Sequence, residues 1–304
     1  MFKTALAYVV CAVVWGTTWH EVRVCIGPGG YPTLAAAALR FSLAAGLLLG
    51  LWRFGLARPG PSRPSQWRWL VLAGTLNAIG YSLVYFGEER ISGGLAAVLF
   101  VTSPLMVALV VTVAKTERVH RSDLVGALIA LSGIVVMFQD RLSVSTDQAV
   151  GIGITLLSVF VSAIYSVIVK QQGKDLNPLA STTVFIVVTA CVLWLATLVR
   201  WEPLPWPLPV RPTFALVYLG VFGSVVAFST YFYLLKRVSM MTATTLVFVL
   251  PLVALTIDHW FEEEVVLNGT TYAGVGITLL GVMVTMVLRR RATSRSMGGA
   301  ARAR

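Results

Sequence analysis

Few residues of this chain are equipped for chemistry, and most of them stand inside long apolar runs. Arg40 is the deepest charge, following Ala38 and Leu39 in a run that begins near Pro32. At ~1.5 Å per residue it lies about 12 Å along a helix, near the middle of a bilayer. An unpaired guanidinium there costs at least ~2.5 kcal/mol and must face protein or water. Two uses are open: drawing in a solute carboxylate or gating a cavity, and tying helices together through backbone carbonyls. Glu21 beside His20 and Asp258 beside His259 come next. A carboxyl whose proton affinity is raised by burial can couple protons to transport. Equally, all four residues sit roughly 25 Å along their helices and read as interfacial groups at the headgroups.

Aromatic and hydroxyl residues form a second set. Asn77, Tyr81 and Tyr85 are spaced i, i+4, i+8, which is one face of a helix. Phe228, Ser229 and Phe232 take the equivalent places later in the chain, and Ser162, Tyr165 and Ser166 form another group, as do Trp15 and Thr18. Together with Arg40 these faces predict a solute pocket with stacking surfaces and a few hydrogen-bond partners. Taken singly, each residue also fits ordinary packing of membrane helices. Pro104 and Pro251 each remove a backbone hydrogen bond in mid-helix, giving a kink and a candidate hinge. Gly126 and Gly133, and Gly274 and Gly281, permit close helix contact between halves or between protomers.

Other chemistries lack their residues. No GxxxxGK[ST] loop is present for nucleotide hydrolysis, and no His, Cys and carboxylate set has metal-ligand spacing. The sequence therefore predicts neither a cofactor, a metal nor an enzyme. The three cysteines, Cys11, Cys25 and Cys191, are odd in number and lie in or beside apolar runs, so no disulfide is expected. The Asn268-Gly269-Thr270 triplet spells a glycosylation acceptor but sits in a short loop at the membrane.

The elements that position these residues follow from composition. Hydrophobic residues make up 57% of the 304, and charged ones only 12%, against about 25% in a soluble domain. Lipid is the solvent that suits such a chain. The expected spans are 4–22, 32–52, 69–87, 94–114, 122–139, 150–170, 179–200, 213–235, 242–261 and 270–288. The fold class is therefore an all-α membrane protein of ten transmembrane helices. The first run, after Lys3, is read as a span rather than a cleaved signal because no small-x-small site closes it. The tail 289–304 is basic and expected to be disordered.

Net charge is +11, but the basic residues lie in loops and the tail, with no patch for nucleic acid. With a cytoplasmic N-terminus, inside segments hold eighteen Lys and Arg and outside segments five. That bias puts both termini in the cytoplasm of a cell (inner) membrane.

The chain also repeats itself. A shift of 147 residues brings Ser82 onto Ser229, Arg90 onto Arg237, Pro104-Leu105 onto Pro251-Leu252, and Glu117 onto Glu264. Residues 1–147 and 148–288 are thus expected to be two five-helix repeats. Five is odd, so the halves insert with opposite orientation, an arrangement suited to alternating access.

These features together resemble the drug/metabolite transporter superfamily in its ten-helix EamA-type form. Trp15-Gly16-Thr17-Thr18, Ala38-Leu39-Arg40-Phe41, Gly94-Leu95-Ala96-Ala97 with Pro104, Glu117-Arg118 and the paired glycines carry the resemblance. His20-Glu21 departs from the small or apolar residues usual at that place. The resemblance implies a central cavity and a role as exporter or exchanger of amino acids or other small metabolites. It also favours the tying role for Arg40.

The expectation is a secondary transporter exporting a small solute from within the lipid bilayer, with protons as a candidate coupling ion. An obligate exchanger of the sugar-phosphate or nucleotide-sugar type is the alternative, and a receptor or structural membrane protein is the reading outside transport. One chain already contains both halves, so a monomer suffices.

Overall fold

Inside lipid every backbone N–H and C=O must be satisfied within the protein, and helices do this segment by segment. The computed structural model describes residues 2–56, 60–91, 93–117, 119–138, 146–173, 175–261, 269–270, 273–274, 276–278, 280–281 and 283–284. Glu262, Glu263, Glu264, Asn268 and the tail 289–304 lie outside the described residues, as do the side chains of Asp258 and His259.

Among the described residues all regular structure is helical. In chain order it comprises α1 (Phe2–Ile26), α2 (Thr33–Arg53), α3 (Pro64–Glu88), α4 (Gly93–Phe100), α5 (Ser103–Val113), α6 (Arg121–Phe138), α7 (Thr146–Gln172) and α8 (Pro178–Arg200). Next come α9 (Val210–Tyr218), a π-helical stretch (Leu219–Val226) and α10 (Ala227–Leu235), which run on as one rod. Last are α11 (Met240–Thr244), a 3₁₀ turn (Thr245–Phe248) and α12 (Leu250–Phe261). Among the described residues, seven helical runs are long and apolar enough to cross a membrane: α1, α2, α3, Leu95–Val113 shared by α4 and α5, α7, α8, and Val210–Leu235. Asp123–Gly133 and Met240–Ala254 are shorter apolar helices.

Several boundaries differ from the sequence expectation. α3 starts at Pro64, where proline suits a first turn, and it continues through Glu88. The fourth span is not continuous, because α4 ends at Phe100 and a turn at Val101-Thr102 precedes α5. Pro104 therefore does not interrupt a helix. It occupies the first turn of α5, where its missing N–H has no intrahelical partner to lose. Pro251 likewise is the second residue of α12, after a 3₁₀ turn.

The largest helix contacts run between the first and second halves of the chain: α3 with α7 and α8, α2 with α8, and α1 with α12 and α10. Small residues make these approaches possible. A Cβ on Gly74 would stand 2.7 Å from the Phe185 carbonyl oxygen on α8. One on Gly87 would fall on Thr155 Oγ1 of α7, and one on Gly16 on Val253 of α12. Gly133 meets Thr278 in the same way, and Gly281 meets Ala130. The glycines read as close-contact positions thus bring two segments of one chain together.

Hydrogen bonds gather the loops at two ends. At one end, the Leu34 and Ala35 N–H groups donate to Glu202 at 2.9 and 3.0 Å, which caps the start of α2 from the loop after α8. Tyr31 pairs with Thr213 there at 2.7 Å, Thr33 donates to Glu89 at 2.5 Å, and Arg90 lies 3.4 Å from Asp147. We call this the far end. The near end holds Lys170, Lys236, Glu117 and Leu176, with Lys236 donating to the Leu176 carbonyl at 2.6 Å. Burial, with Arg237 beside it, lowers the Lys236 amine below its usual pKa.

The α3–α7 seam generates a prediction. Gly87→Leu forces its side chain into Thr155 and is expected to cost ~1–3 kcal/mol, lowering the thermal unfolding midpoint of the detergent-purified protein. Gly46→Ala faces open space and serves as the control. Equal midpoints for the two variants would count against this packing.

Candidate functional site

Arg40 is 1% exposed and sits on α2 against the π-helical stretch of the eighth span. Its Nε donates to Ser224 Oγ at 3.0 Å and its Nη2 to the Gly223 carbonyl at 3.3 Å. Ser224 in turn donates to the Leu219 carbonyl at 3.0 Å. The guanidinium carbon lies 4.9 Å from the centroid of Tyr81 and 5.3 Å from that of Phe41, within cation–π range. Trp15 Nε1 donates to the same Gly223 carbonyl at 3.3 Å. Gly223 is required for this approach, since a Cβ there would be 2.9 Å from Thr18 and 3.0 Å from Arg40 Nη2. The tying role foreseen for Arg40 therefore has named partners.

A cavity of about 110 Å³ opens in front of this anchor. Of the residues singled out in the sequence, Trp15, Thr18, Arg40, Tyr81, Ser162, Tyr165, Ser166 and Phe228 line it. Trp15 packs on Phe228 at 5.5 Å and on Tyr231 at 5.0 Å, and Trp19 on Phe100 at 5.1 Å between ring centroids. The walls are thus largely aromatic, with hydroxyls between the rings.

Four other singled-out residues do not line the cavity. Asn77 is fully buried and donates to Thr189 on α8 at 3.0 Å; Thr189 donates to the Phe185 carbonyl, with the Gly74 carbonyl 3.0 Å away. Asn77 thus ties α3 to α8. Tyr85 is buried behind the cavity wall, Phe232 packs on Phe185 at 5.1 Å, and Ser229 is absent from the lining. The reason is helical phase. The cavity face of α3 carries Tyr81, Val84 and Glu88, spaced i, i+3, i+7, and not the i, i+4, i+8 set. Glu21 is absent from the lining, although Thr18, Trp19 and Val22 belong to it. Pro104 and Pro251 are absent from it as well.

Several lining residues were not singled out from the sequence: Trp19, Ser103, Tyr231, Thr244 and above all Glu88. Glu88 is 6% exposed, and neither of its carboxylate oxygens has a hydrogen-bond partner. It stands seven residues after Tyr81, so the helical period carries it onto the cavity face. Its place in Glu88-Glu89-Arg90 disguised it as an interfacial group. Glu88 also lines a wider, open depression of about 810 Å³ at the far end, with His20, Arg23, Glu89 and Arg211. Glu88 is thus common to the linings of both spaces.

The near end is stitched together. Both carboxylate oxygens of Glu117 accept the Met240 N–H, at 3.2 and 3.1 Å, which caps the start of α11. Lys170 lies 3.6 Å from Glu117 and donates to the carbonyls of Leu235, at 2.8 Å, and Val238. One carboxylate thus joins the end of the fourth span to the seventh helix and to the start of α11. Among the described residues no group of three His, Cys, Asp or Glu side chains is arranged to hold a metal.

Comparison with known proteins agrees with this architecture. The model of the EamA-like transporter family matches residues 2–139 and again 149–287. The chain is 28% identical to the uncharacterized inner membrane transporter YedA of Escherichia coli, covering 91% of this chain and 86% of that one. It is 25% identical to a "probable terminal-alkyne amino-acid exporter" of Streptantibioticus cattleyicolor, over 96% and 95% of the two chains. It is 22% identical to protein PagO of Salmonella typhimurium, over 94% and 93%. A solved crystal structure superposes with a TM-score of 0.76 over 95% of this chain and 98% of its own, at 19% identity, a likeness of fold.

Removing the near-end carboxylate has a definite expected cost. Glu117→Ala leaves the Met240 N–H without its acceptor and Lys170 without its counter-charge and is expected to destabilise the protein by ~1–3 kcal/mol. Glu117→Gln, which keeps an acceptor but loses the charge, falls between it and the parent in thermal unfolding. An unchanged midpoint for Glu117→Ala would contradict the role given to this contact.

Proposed function

The chain belongs to the EamA-like transporter family, and we propose that it is a secondary carrier exporting a small metabolite, an amino acid or a similar solute. The observation that carries this reading is the aromatic cavity, bounded by helices from both halves, with an open depression beside it at one end and a stitched set of contacts at the other. A pore needs no such asymmetry, and a receptor needs no cavity at mid-membrane. At about 110 Å³ the space is below the ~300–1,000 Å³ of drug-sized sites. That suits a small metabolite better than a nucleotide sugar. The exporter of a terminal-alkyne amino acid among the relatives supports an amino acid or a similarly small solute.

In this reading the chain forms ten membrane helices in two inverted five-helix repeats, 1–147 and 148–288, with both termini cytoplasmic in the inner membrane. The positive-inside bias of the loops supports that orientation. The stitched near end is then cytoplasmic and the Glu88 end faces outward, so the conformation is outward-facing. Exchange between the two conformations follows from swapping the roles of the halves, with the breaks before Pro104 and Pro251 as matched hinges. Solute stacks among Trp15, Tyr81 and Phe228, with Ser162, Ser166 and Thr18 as hydrogen-bond partners and Arg40 as the fixed positive wall. A coupled proton requires a carboxyl within reach of the cavity; Glu21 lies off its lining, while Glu88 lies on it.

The test is efflux from proteoliposomes loaded with mixed amino acids and common metabolites, with and without an imposed pH gradient. Saturable efflux is expected, reduced about tenfold or more in Arg40→Gln that still folds. Acceleration by the gradient identifies proton exchange, and efflux only against a second external solute identifies an exchanger. No saturable flux of any solute from folded protein would overturn the carrier reading.

A further inference from the structure

One guanidinium and one carboxyl line the cavity, and they are not equivalent. Arg40 is committed to the protein: Ser224 and the Gly223 carbonyl accept from it, and the Tyr81 and Phe41 rings flank it. It is a wall, with its donors already aimed at the eighth span. Glu88 is the reverse case. It is more than nine-tenths buried, it lines the cavity, and both its oxygens are without a hydrogen-bond partner. Its neighbour Glu89 is half-exposed and already used, accepting from Thr33 and pairing with Arg90 at 3.2 Å. A buried carboxyl without a hydrogen-bond partner is costly, and the two unengaged oxygens of Glu88 are acceptors that a ligand's donors can fill.

We propose that Glu88 is the cation-recognising group of the cavity, holding the protonated amine of a small solute whose apolar body lies among the aromatic rings. The inference rests on the reading of the cavity as a solute site and adds the charge of the solute's recognised end. The surroundings suit an ammonium. Trp19, Phe100 and Tyr81 share the lining with Glu88, and aromatic faces attract cations as carboxylates do. The charged groups near Glu88 are Arg23 on α1 and Arg40 on α2, and beyond them His20, Glu89 and Arg211 around the outer depression. Arg23 and Arg40 act on Glu88 through space, and neither donates a hydrogen bond to it, so both of its oxygens keep acceptor capacity for the N–H groups of an ammonium. Position matters as well: Glu88 belongs to the lining of both the cavity and the depression, which places it between the two.

The experiment is equilibrium binding to the full-length protein in lipid nanodiscs, read by tryptophan fluorescence, with three probes of the same apolar body: 2-phenylethylamine, 2-phenylethanol and 3-phenylpropionate. The amine is expected to bind about tenfold or more tighter than the alcohol, and tighter still than the carboxylate. In Glu88→Gln the advantage of amine over alcohol is expected to shrink to about twofold, and Glu88→Asp to keep part of it. An amine that binds no tighter than the alcohol in the parent protein, or an advantage that survives Glu88→Gln, overturns the proposal. If Glu88→Gln does not fold, the ranking of the three probes on the parent protein decides alone. The carrier reading fails separately: amine selectivity through Glu88 without saturable flux of any solute leaves the binding site standing and removes transport. Saturable flux without amine selectivity does the opposite.

Discussion

A guanidinium in the middle of a membrane protein must be supplied with acceptors, and the structure around the cavity is organised by that requirement. Regular α-helices commit one lone pair of each carbonyl to their own ladder, and the acceptors for Arg40 come from a place where the regular pattern changes. Here it is the π-helical stretch Leu219–Val226, where the ladder is altered and a carbonyl at Gly223 receives both Arg40 and Trp15. Such stretches are rare and concentrate at functional sites. Gly223 has to lack a side chain for Arg40 and Thr18 to come so close. Ser224 accepts from the guanidinium Nε and donates its own O–H to the Leu219 carbonyl. The Trp-Gly-Thr-Thr segment follows from the same anchor. Trp15 bonds to Gly223 and stacks in the cavity wall, Gly16 admits α12, and Thr18 fills the gap beside Gly223.

With that wall fixed, the two ends of the molecule carry different burdens. Each end has a carboxylate capping a helix start supplied by the other half, Glu202 for α2 and Glu117 for α11. At the near end Glu117 also faces Lys170, whose remaining donors close on carbonyls of the chain between the eighth and ninth spans. At the far end the helices part around an open depression that reaches inward to Glu88. Close contacts through Gly74 and Gly87 hold α3 against α8 and α7, giving a closely packed flank beside the cavity. The fourth and ninth spans, broken before Pro104 and Pro251, form the part with fewer continuous backbone hydrogen bonds.

The sequence was most informative where physics leaves little choice. Apolar runs of membrane length, a single deep arginine and glycines at close-packing positions pointed to helices, to a buried anchor and to contacts that the structure contains. Arg40, Trp15, Thr18, Tyr81 and Phe228 come together because their spans are long enough for depth to be counted in residues. Rotation about a helix axis was harder to read. Asn77 and Tyr85 share a face with Tyr81 by spacing, yet the cavity lies on the side of Val84 and Glu88, a few tens of degrees round, and only the packing of α7 and α8 decides which side is which. Glu88 was hidden by its neighbours, since Glu-Glu-Arg at the end of a span has the composition of a headgroup contact. Three-dimensional pairings such as Glu117 with Met240, 123 residues apart, have no local signal at all.

The claim that the Arg40 anchor backs a cavity open toward one face at a time is tested most directly by two-sided thiol accessibility. Ser103→Cys and Thr244→Cys place reporters in the cavity lining, in a background with Cys191, the exposed native cysteine, replaced by Ser. A membrane-impermeant maleimide is then applied to one face of sealed vesicles or the other. Labelling that proceeds from the Glu88 face, is slow from the Glu117 face and is reduced by a bound solute is the result the account predicts. Equal labelling from both faces would make the space a pore, and protection from both would make it packing without access; either result contradicts the account.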